Sequence, residues 1–221
     1  MTLDRIWVAV MALAGLLTGT WRADAYVAIV NKNDHQDMHI VPASGKIALD
    51  GDLKDWDLSG AILMFMDEGS KTIYSVRGAM MYDKDFLYVG AQVKDPTPMV
   101  NNYTFGGEYN MSWNADAIQM RFLSFPGTKA TASIQTGGHI APEEDKCVNH
   151  LTFWYSTQDQ KAGFFAMHTL GFAEPELNPA GVEGAYKKDA DGKGYTMEYR
   201  VPWSVLRAPR HAGAEAGQRR G

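Results

Sequence analysis

Asp50, Asp52 and Asp55 put three carboxylates within six residues. Calcium takes six to eight oxygen ligands, and acidic loops supply them, so these three form a candidate calcium site. Asp95 and Asp116 are further carboxylates that folding can bring to it. The spacing is not that of an EF-hand, because the sixth position lacks Gly and the twelfth lacks Glu. The same residues also suit a turn closed by Asx hydrogen bonds, with no metal. Six tryptophans are the other chemical resource. An indole can fill a core, or it can offer a flat apolar platform to a ligand.

Other chemistries find no support. His35, His39, His139, His150, His168 and His211 are scattered and never take the HExxH spacing of a zinc protease. There is no GxSxG elbow, P-loop or dinucleotide fingerprint. No pair of carboxylates announces itself for glycoside hydrolysis, and Glu143-Glu144-Asp145 reads as a solvated loop. No catalytic residue is assigned. A net charge of −5, from 21 Lys and Arg against 26 Asp and Glu, excludes a nucleic-acid groove.

The ends of the chain speak to compartment. Arg5 precedes an apolar run from Ile6 to Leu17, and Ala23-Asp24-Ala25 presents small residues at the positions a signal peptidase reads. Residues 1–25 are expected to be a secretory signal peptide. The alternative is a membrane anchor, but the run is shorter than the roughly 20 residues of a span. No later stretch is long and apolar enough to cross a bilayer, so no stable membrane span is expected after cleavage. The expected location is secreted, periplasmic or cell-surface. Cys147 is the single cysteine, so no internal disulfide is available. Residues 207–221 are Arg-rich and carry no aromatic or β-branched residue, so a disordered tail is expected there.

Between these ends, 26–206 reads as one domain built from strands. Leu87, Val89, Ala91 and Val93 alternate along Phe86 to Val93 and share one face. Ile118, Met120 and Phe122 do the same, and Tyr195 to Val201 alternates as cleanly. Further strands are predicted from Ile73 to Met81, Leu151 to Tyr155 and Phe164 to His168. Asp83-Lys84-Asp85 and Asp191-Gly192-Lys193-Gly194 are predicted hairpin tips. Asp95-Pro96 should end the Val93 strand. No helical stripe exceeds about two turns. The pattern is all-β, an antiparallel two-sheet β-sandwich of immunoglobulin or jelly-roll type.

Four segments, in order, resemble the family 9 carbohydrate-binding modules. Ile47-Ala48-Leu49-Asp50-Gly51-Asp52-Leu53-Lys54-Asp55-Trp56 is similar to the family's opening I-D-G-x-x-D-x-W. Ala79-Met80-Met81-Tyr82-Asp83-Lys84-Asp85-Phe86-Leu87-Tyr88-Val89 followed by Val93-Lys94-Asp95-Pro96 resembles its W-D-x-x-x-L-Y-V-x-x-x-V-x-D hairpin. Trp113-Asn114-Ala115-Asp116-Ala117-Ile118-Gln119-Met120 looks like W-x-x-D-S-V-E-I. Gly194-Tyr195-Thr196-Met197-Glu198-Tyr199-Arg200-Val201-Pro202-Trp203 is similar to G-Y-x-x-E-x-x-I-P-W.

The resemblance implies a sandwich that holds a terminal sugar between two tryptophans while polar side chains read its hydroxyls. Trp113 matches the first of those tryptophans, with Asn114 and Asp116 beside it. Gln119 stands where the family often carries an acidic residue. Apart from the resemblance, Tyr155 or Trp154 of the Leu151 to Tyr155 strand is a further candidate ligand contact, since one face of that strand should be buried. The family's last strands, which bear the second tryptophan, have no counterpart before the Arg-rich tail. The implied ligand is a polysaccharide or oligosaccharide of xylan or cellulose type, the implied cofactor structural calcium, and the implied setting polysaccharide breakdown beside a glycoside hydrolase. Trp56 and Trp203 are expected in the core. One alternative is a non-covalent haem-binding electron-transfer domain of related sandwich fold, with Met99, Met111, His150 or His168 as ligands, and another is a part of a glycoside hydrolase.

Overall fold

A computed structural model of the chain describes residues 38–97, 99–107, 109–123, 148–167 and 176–206. The predicted signal peptide, Cys147, His168, the side chain of Phe122 and the predicted tail lie outside the described residues.

Among the described residues ten strands form two sheets. They are β1 (Ile40–Pro42), β2 (Ile62–Phe65), β3 (Ser75–Tyr82), β4 (Phe86–Lys94), β5 (Ala117–Leu123), β6 (Val148–Ser156), β7 (Lys161–Met167), β8 (Glu176–Leu177), β9 (Glu183–Lys188) and β10 (Gly194–Pro202). The first sheet runs β1-β3-β4-β10-β9, with β2 also paired to β3. The second runs β5-β6-β7-β8. Pairing is antiparallel except for β1, which lies parallel to the end of β3. The all-β sandwich expectation is met. The three helical segments among the described residues are 3-10 turns, and none of the described helices is long and apolar enough to cross a membrane.

Alternation explains the core. Leu87, Val89 and Val93 of β4 join Tyr195, Met197, Tyr199 and Val201 of β10 on one inner face. Leu151, Phe153, Phe164 and Ala166 answer from β6 and β7, and Ile118 and Met120 of β5 pack at the margin. Full burial of each large side chain contributes roughly 2 kcal/mol. The fully buried Tyr199 also ties the layers together, its hydroxyl donating to the Trp154 carbonyl at 2.6 Å.

A second cluster lies outside the first sheet. Ile47 and Trp56, from the segment before β2, cover Ala79 and Met81 of β3 and Tyr88 of β4. The Trp56 ring lies directly over Gly90, where an added Cβ would stand 2.9 Å from it. Only a residue without a side chain fits under the indole.

The turns follow their residues. Asp83 closes the β3–β4 tip by accepting the Asp85 and Phe86 amides, each at 2.8 Å, and the Tyr88 hydroxyl at 2.8 Å. Gly192 turns β9 into β10 at φ +72°, a left-handed conformation that favours glycine. β3 starts at Ser75, two residues later than Ile73, because the Ile73 and Tyr74 amides are spent on the Ser70 carbonyl in a turn. Trp203 is half-buried, and its indole donates to the Asp83 carbonyl at 2.9 Å.

Candidate functional site

Trp113 is the second-to-last residue of the 3-10 segment Tyr109–Asn114 that leads into β5. It is 46% exposed, a large value for the bulkiest apolar side chain. Among the described residues no aromatic ring stacks on it. The backbone beneath it is held rigidly. Asn101, fully buried, donates to the Ser112 carbonyl at 2.9 Å and to the Asp116 carbonyl at 3.1 Å. The Asp116 carboxylate accepts the Val100 amide at 2.6 Å. One short loop is thus stapled to the start of β5 on both sides of the indole.

Gln119 continues the support. Its amide nitrogen donates to the Trp113 carbonyl at 3.3 Å, and its oxygen lies 3.1 Å from His150 Nε2. Burial, with help from the nearby Arg121 charge, holds the His150 imidazole below its ordinary pKa. It is therefore neutral near pH 7, and the acceptor opposite Nε2 assigns the proton to that nitrogen. Asn114 is exposed beside Trp113. The structure brings Trp113, Asn114, Asp116 and Gln119 together at one end of the second sheet. Asn101 and His150 complete the group. His150 faces Arg121 across the β5–β6 ladder. Asn101 had no motif to mark it, since a buried amide that caps carbonyls looks like any loop Asn.

Trp154 does not join them at the surface. It is fully buried, so the expectation of a ligand contact there is corrected. Its indole donates to the Tyr103 carbonyl at 3.3 Å, and its ring meets Phe105 and Phe165 edge-on at 5.6 and 5.9 Å. Gly163 gives it room from the neighbouring strand, since a Cβ there would come within 2.5 Å of the ring. The segment 101–105 covers the outer face of β6 at this point, which alternation alone could not reveal.

The candidate calcium loop has a different centre. Glu198 of β10 is fully buried beneath it. Glu198 Oε2 accepts the amides of Asp50, Gly51 and Asp52 at 3.0, 2.5 and 3.1 Å, and Oε1 accepts the Trp56 indole at 2.7 Å. Gly51, at φ +78°, allows three successive amides to converge. Burial pushes the Glu198 carboxyl up, against the pull of those four donors. The aspartates themselves point elsewhere. Asp50 pairs with Lys54 at 3.2 Å, Asp52 lies 3.6 Å from Lys187, and Asp55 accepts the Ala48 amide at 2.7 Å. Among the described residues no group of three or more His, Cys, Asp or Glu side chains is gathered as a metal site. Of the alternative haem ligands, Met99 is buried in the core, while Met111 and His150 are half-buried.

No family model matches the sequence, and no curated protein matches it. Among the solved structures similar to this chain are two from one organism. One is a carbohydrate-binding module of family 9 from Caldicellulosiruptor kristjanssonii in complex with glucose, 14% identical, with a TM-score of 0.41 over 74% of this chain and 68% of that one. The other is a family 9 module from the same organism in complex with cellotriose, 16% identical, with a TM-score of 0.40 over 74% of this chain and 66% of that one. Function has to be argued from the residues.

Proposed function

We propose that this chain is an exported domain that binds carbohydrate and leaves cleavage to a partner catalytic domain. The observation that carries the reading is the exposed indole of Trp113 on a stapled backbone. A pyranose has C–H groups on its faces and hydroxyls around its rim. An indole face takes apolar area of the sugar out of water, and neighbouring polar groups fix the ring's orientation. Asn114 is the exposed amide at hand, while Asp116 and Gln119 hold the shelf in place. A rigid platform loses little entropy on binding, which matters for a ligand as polar and hydrated as a sugar. The expected ligands are xylan- or cellulose-type polysaccharides, and tethering would raise the local concentration of a linked hydrolase. Structural calcium at the Asp50, Asp52 and Asp55 loop would require those carboxylates to turn away from Lys54, Lys187 and the Ala48 amide.

Titration calorimetry tests the proposal. Xylan, cellulose oligomers and simple disaccharides should be titrated into the full chain with and without calcium. Heat from at least one sugar, abolished in Trp113→Ala, is the expected result. Silence from all of them in the presence of calcium would overturn it.

A further inference from the structure

The outer face of the first sheet divides in two. At one end the segment around Trp56 covers Ala79, Met81 and Tyr88. At the other end the same strands carry Ser75 and Arg77 on β3, and Gln92 and Lys94 on β4. The register sets Ser75 opposite Lys94 and Arg77 opposite Gln92, so the two cations sit on a diagonal about 7 Å apart at Cβ. Leu63 of β2 lies opposite Arg77. The loop before β3 rises beside them and contributes Lys71 and Thr72. Together these residues line a groove of ≈ 290 Å³. Thr72 and Lys94 also line an adjoining hollow of ≈ 390 Å³, together with Ile73, Asp189, Asp191 and Lys193.

Three cations line the first hollow of a chain whose net charge is −5. Lys71 holds its ammonium 4.6 Å from the Phe65 ring centroid. Arg77 and Lys94 are exposed, and among the described residues neither side chain has an ion-pair partner. Two uncommitted cations on adjacent strands suit one carboxylate, with Arg offering a planar fork. A bare anion would need nothing more. This groove also presents an apolar side chain (Leu63), two hydroxyls (Thr72, Ser75) and an amide (Gln92), which is the mixture that reads a sugar ring. The second hollow mixes the charges, with Asp189 and Asp191 beside Lys94 and Lys193. Asp189 and Asp191 would repel an anion there, but they can accept hydroxyl protons from a neutral ring.

We propose that this groove is a second saccharide site, separate from Trp113, that takes an acidic sugar chain with a uronate ring at Arg77 and Lys94 and a neighbouring ring's hydroxyls at Asp189 and Asp191. The inference rests on the reading of the chain as a carbohydrate binder, but it uses none of the same residues.

The test is calorimetry on the full chain with trigalacturonic acid and, separately, with cellotriose. Three proteins are compared: the wild type, Arg77→Gln/Lys94→Gln, and Trp113→Ala. The double variant changes only exposed side chains, and its thermal midpoint serves as the folding control. Trigalacturonic acid should bind the wild type and Trp113→Ala alike, weaken as salt rises, and lose at least about tenfold in affinity in the double variant. Cellotriose should show the opposite dependence, lost with Trp113 and kept in the double variant. Sulfate at the same concentration should not displace the acidic sugar. The groove proposal falls if trigalacturonic acid does not bind, if the double variant binds it unchanged, or if sulfate displaces it. Binding of cellotriose alone would remove this inference and leave the Trp113 reading standing, whereas binding of the acidic sugar alone would do the reverse.

Discussion

Trp113 and Trp154 approach the same end of the second sheet, yet they live in different media. Trp154 stands in β6 opposite Ala117, and Trp113 lies four residues before that alanine. One indole is fully sealed and the other is nearly half exposed. The difference comes from the loop between β4 and β5. Its first part, through Tyr103 and Phe105, crosses the outer face of β6 and closes over Trp154. Its last part, Tyr109–Asn114, turns away and leaves Trp113 outside. A tryptophan's role here is set by which stretch of one loop covers it, and strand periodicity carries no record of that.

The comparison breaks most visibly through stability. Trp154→Ala should cost about 3–5 kcal/mol, because it opens a cavity lined by Phe105 and Phe165 and strands the Tyr103 carbonyl. Urea denaturation followed by tyrosine and tryptophan fluorescence measures it. A loss under about 1 kcal/mol would mean that the loop does not seal the ring as described.

Glu198 offers the next largest effect, and it sharpens the contrast from a third indole. Trp56 is buried like Trp154, but its N–H shares a carboxylate with three backbone amides. Glu198→Ala leaves four donors without an acceptor, the Gly51 amide and the Trp56 indole buried and the Asp50 and Asp52 amides part-buried, and should cost about 3 kcal/mol. Glu198→Gln keeps the shape but turns an amide N–H toward donors, so it should recover only part of the loss. Hydrogen exchange of the Gly51 amide locates the damage: protection there should collapse in the alanine variant while β6 stays protected. Equal loss at both places would mean that the carboxylate is not a local clasp.

Much of this architecture is legible in the residues. The alternation in β4 and β10 names the inner face correctly, since Leu87, Val89, Val93, Tyr195, Met197, Tyr199 and Val201 all enter the core. The turn residues Asp83 and Gly192 mark the hairpins for reasons of hydrogen bonding and φ. The outer faces resist such reading. Thr196 and Glu198 alternate as polar residues should on a solvated face, and both are buried. A segment some 145 positions away in sequence covers Glu198, and no local period encodes so distant a contact. The carboxylates of Asp50, Asp52 and Asp55 drew attention as metal ligands, whereas in the fold it is the backbone amides of this stretch that face inward. Trp113 itself was found through a resemblance. Its exposure depends on Asn101 and Asp116 holding a loop, which is a matter of geometry and not of composition.

A smaller effect comes from Tyr88, which packs edge-on against Trp56 with ring centroids 6.5 Å apart. Burial, together with the hydrogen bond and negative charge of Asp83, pushes its hydroxyl up to about 12. The folded protein therefore keeps this proton where the unfolded chain, near the ordinary value of about 10, gives it up. Its contribution to stability is complete below pH 10 and is lost as the pH rises toward 12. Tyr88→Phe should flatten the decline of the urea midpoint between about pH 10 and 12. An unchanged slope would place the alkaline sensitivity in another tyrosine.

The smallest change in stability belongs to Trp113→Ala, and that is its value. An exposed indole with no ring against it among the described residues has little packing to lose, so the fold should be within about 0.5 kcal/mol of the wild type. Sugar binding should vanish in the same protein, because the platform is the indole face. Trp113→Phe keeps a smaller apolar plane and should retain weakened binding, which an effect on folding alone would not produce. The pairing of intact stability with lost affinity separates a ligand shelf from a core residue, and Trp154 supplies the opposite pairing on the same sheet. A large destabilisation in Trp113→Ala would show that the ring is holding the loop in place, and the two tryptophans would then differ in degree of burial but not in kind.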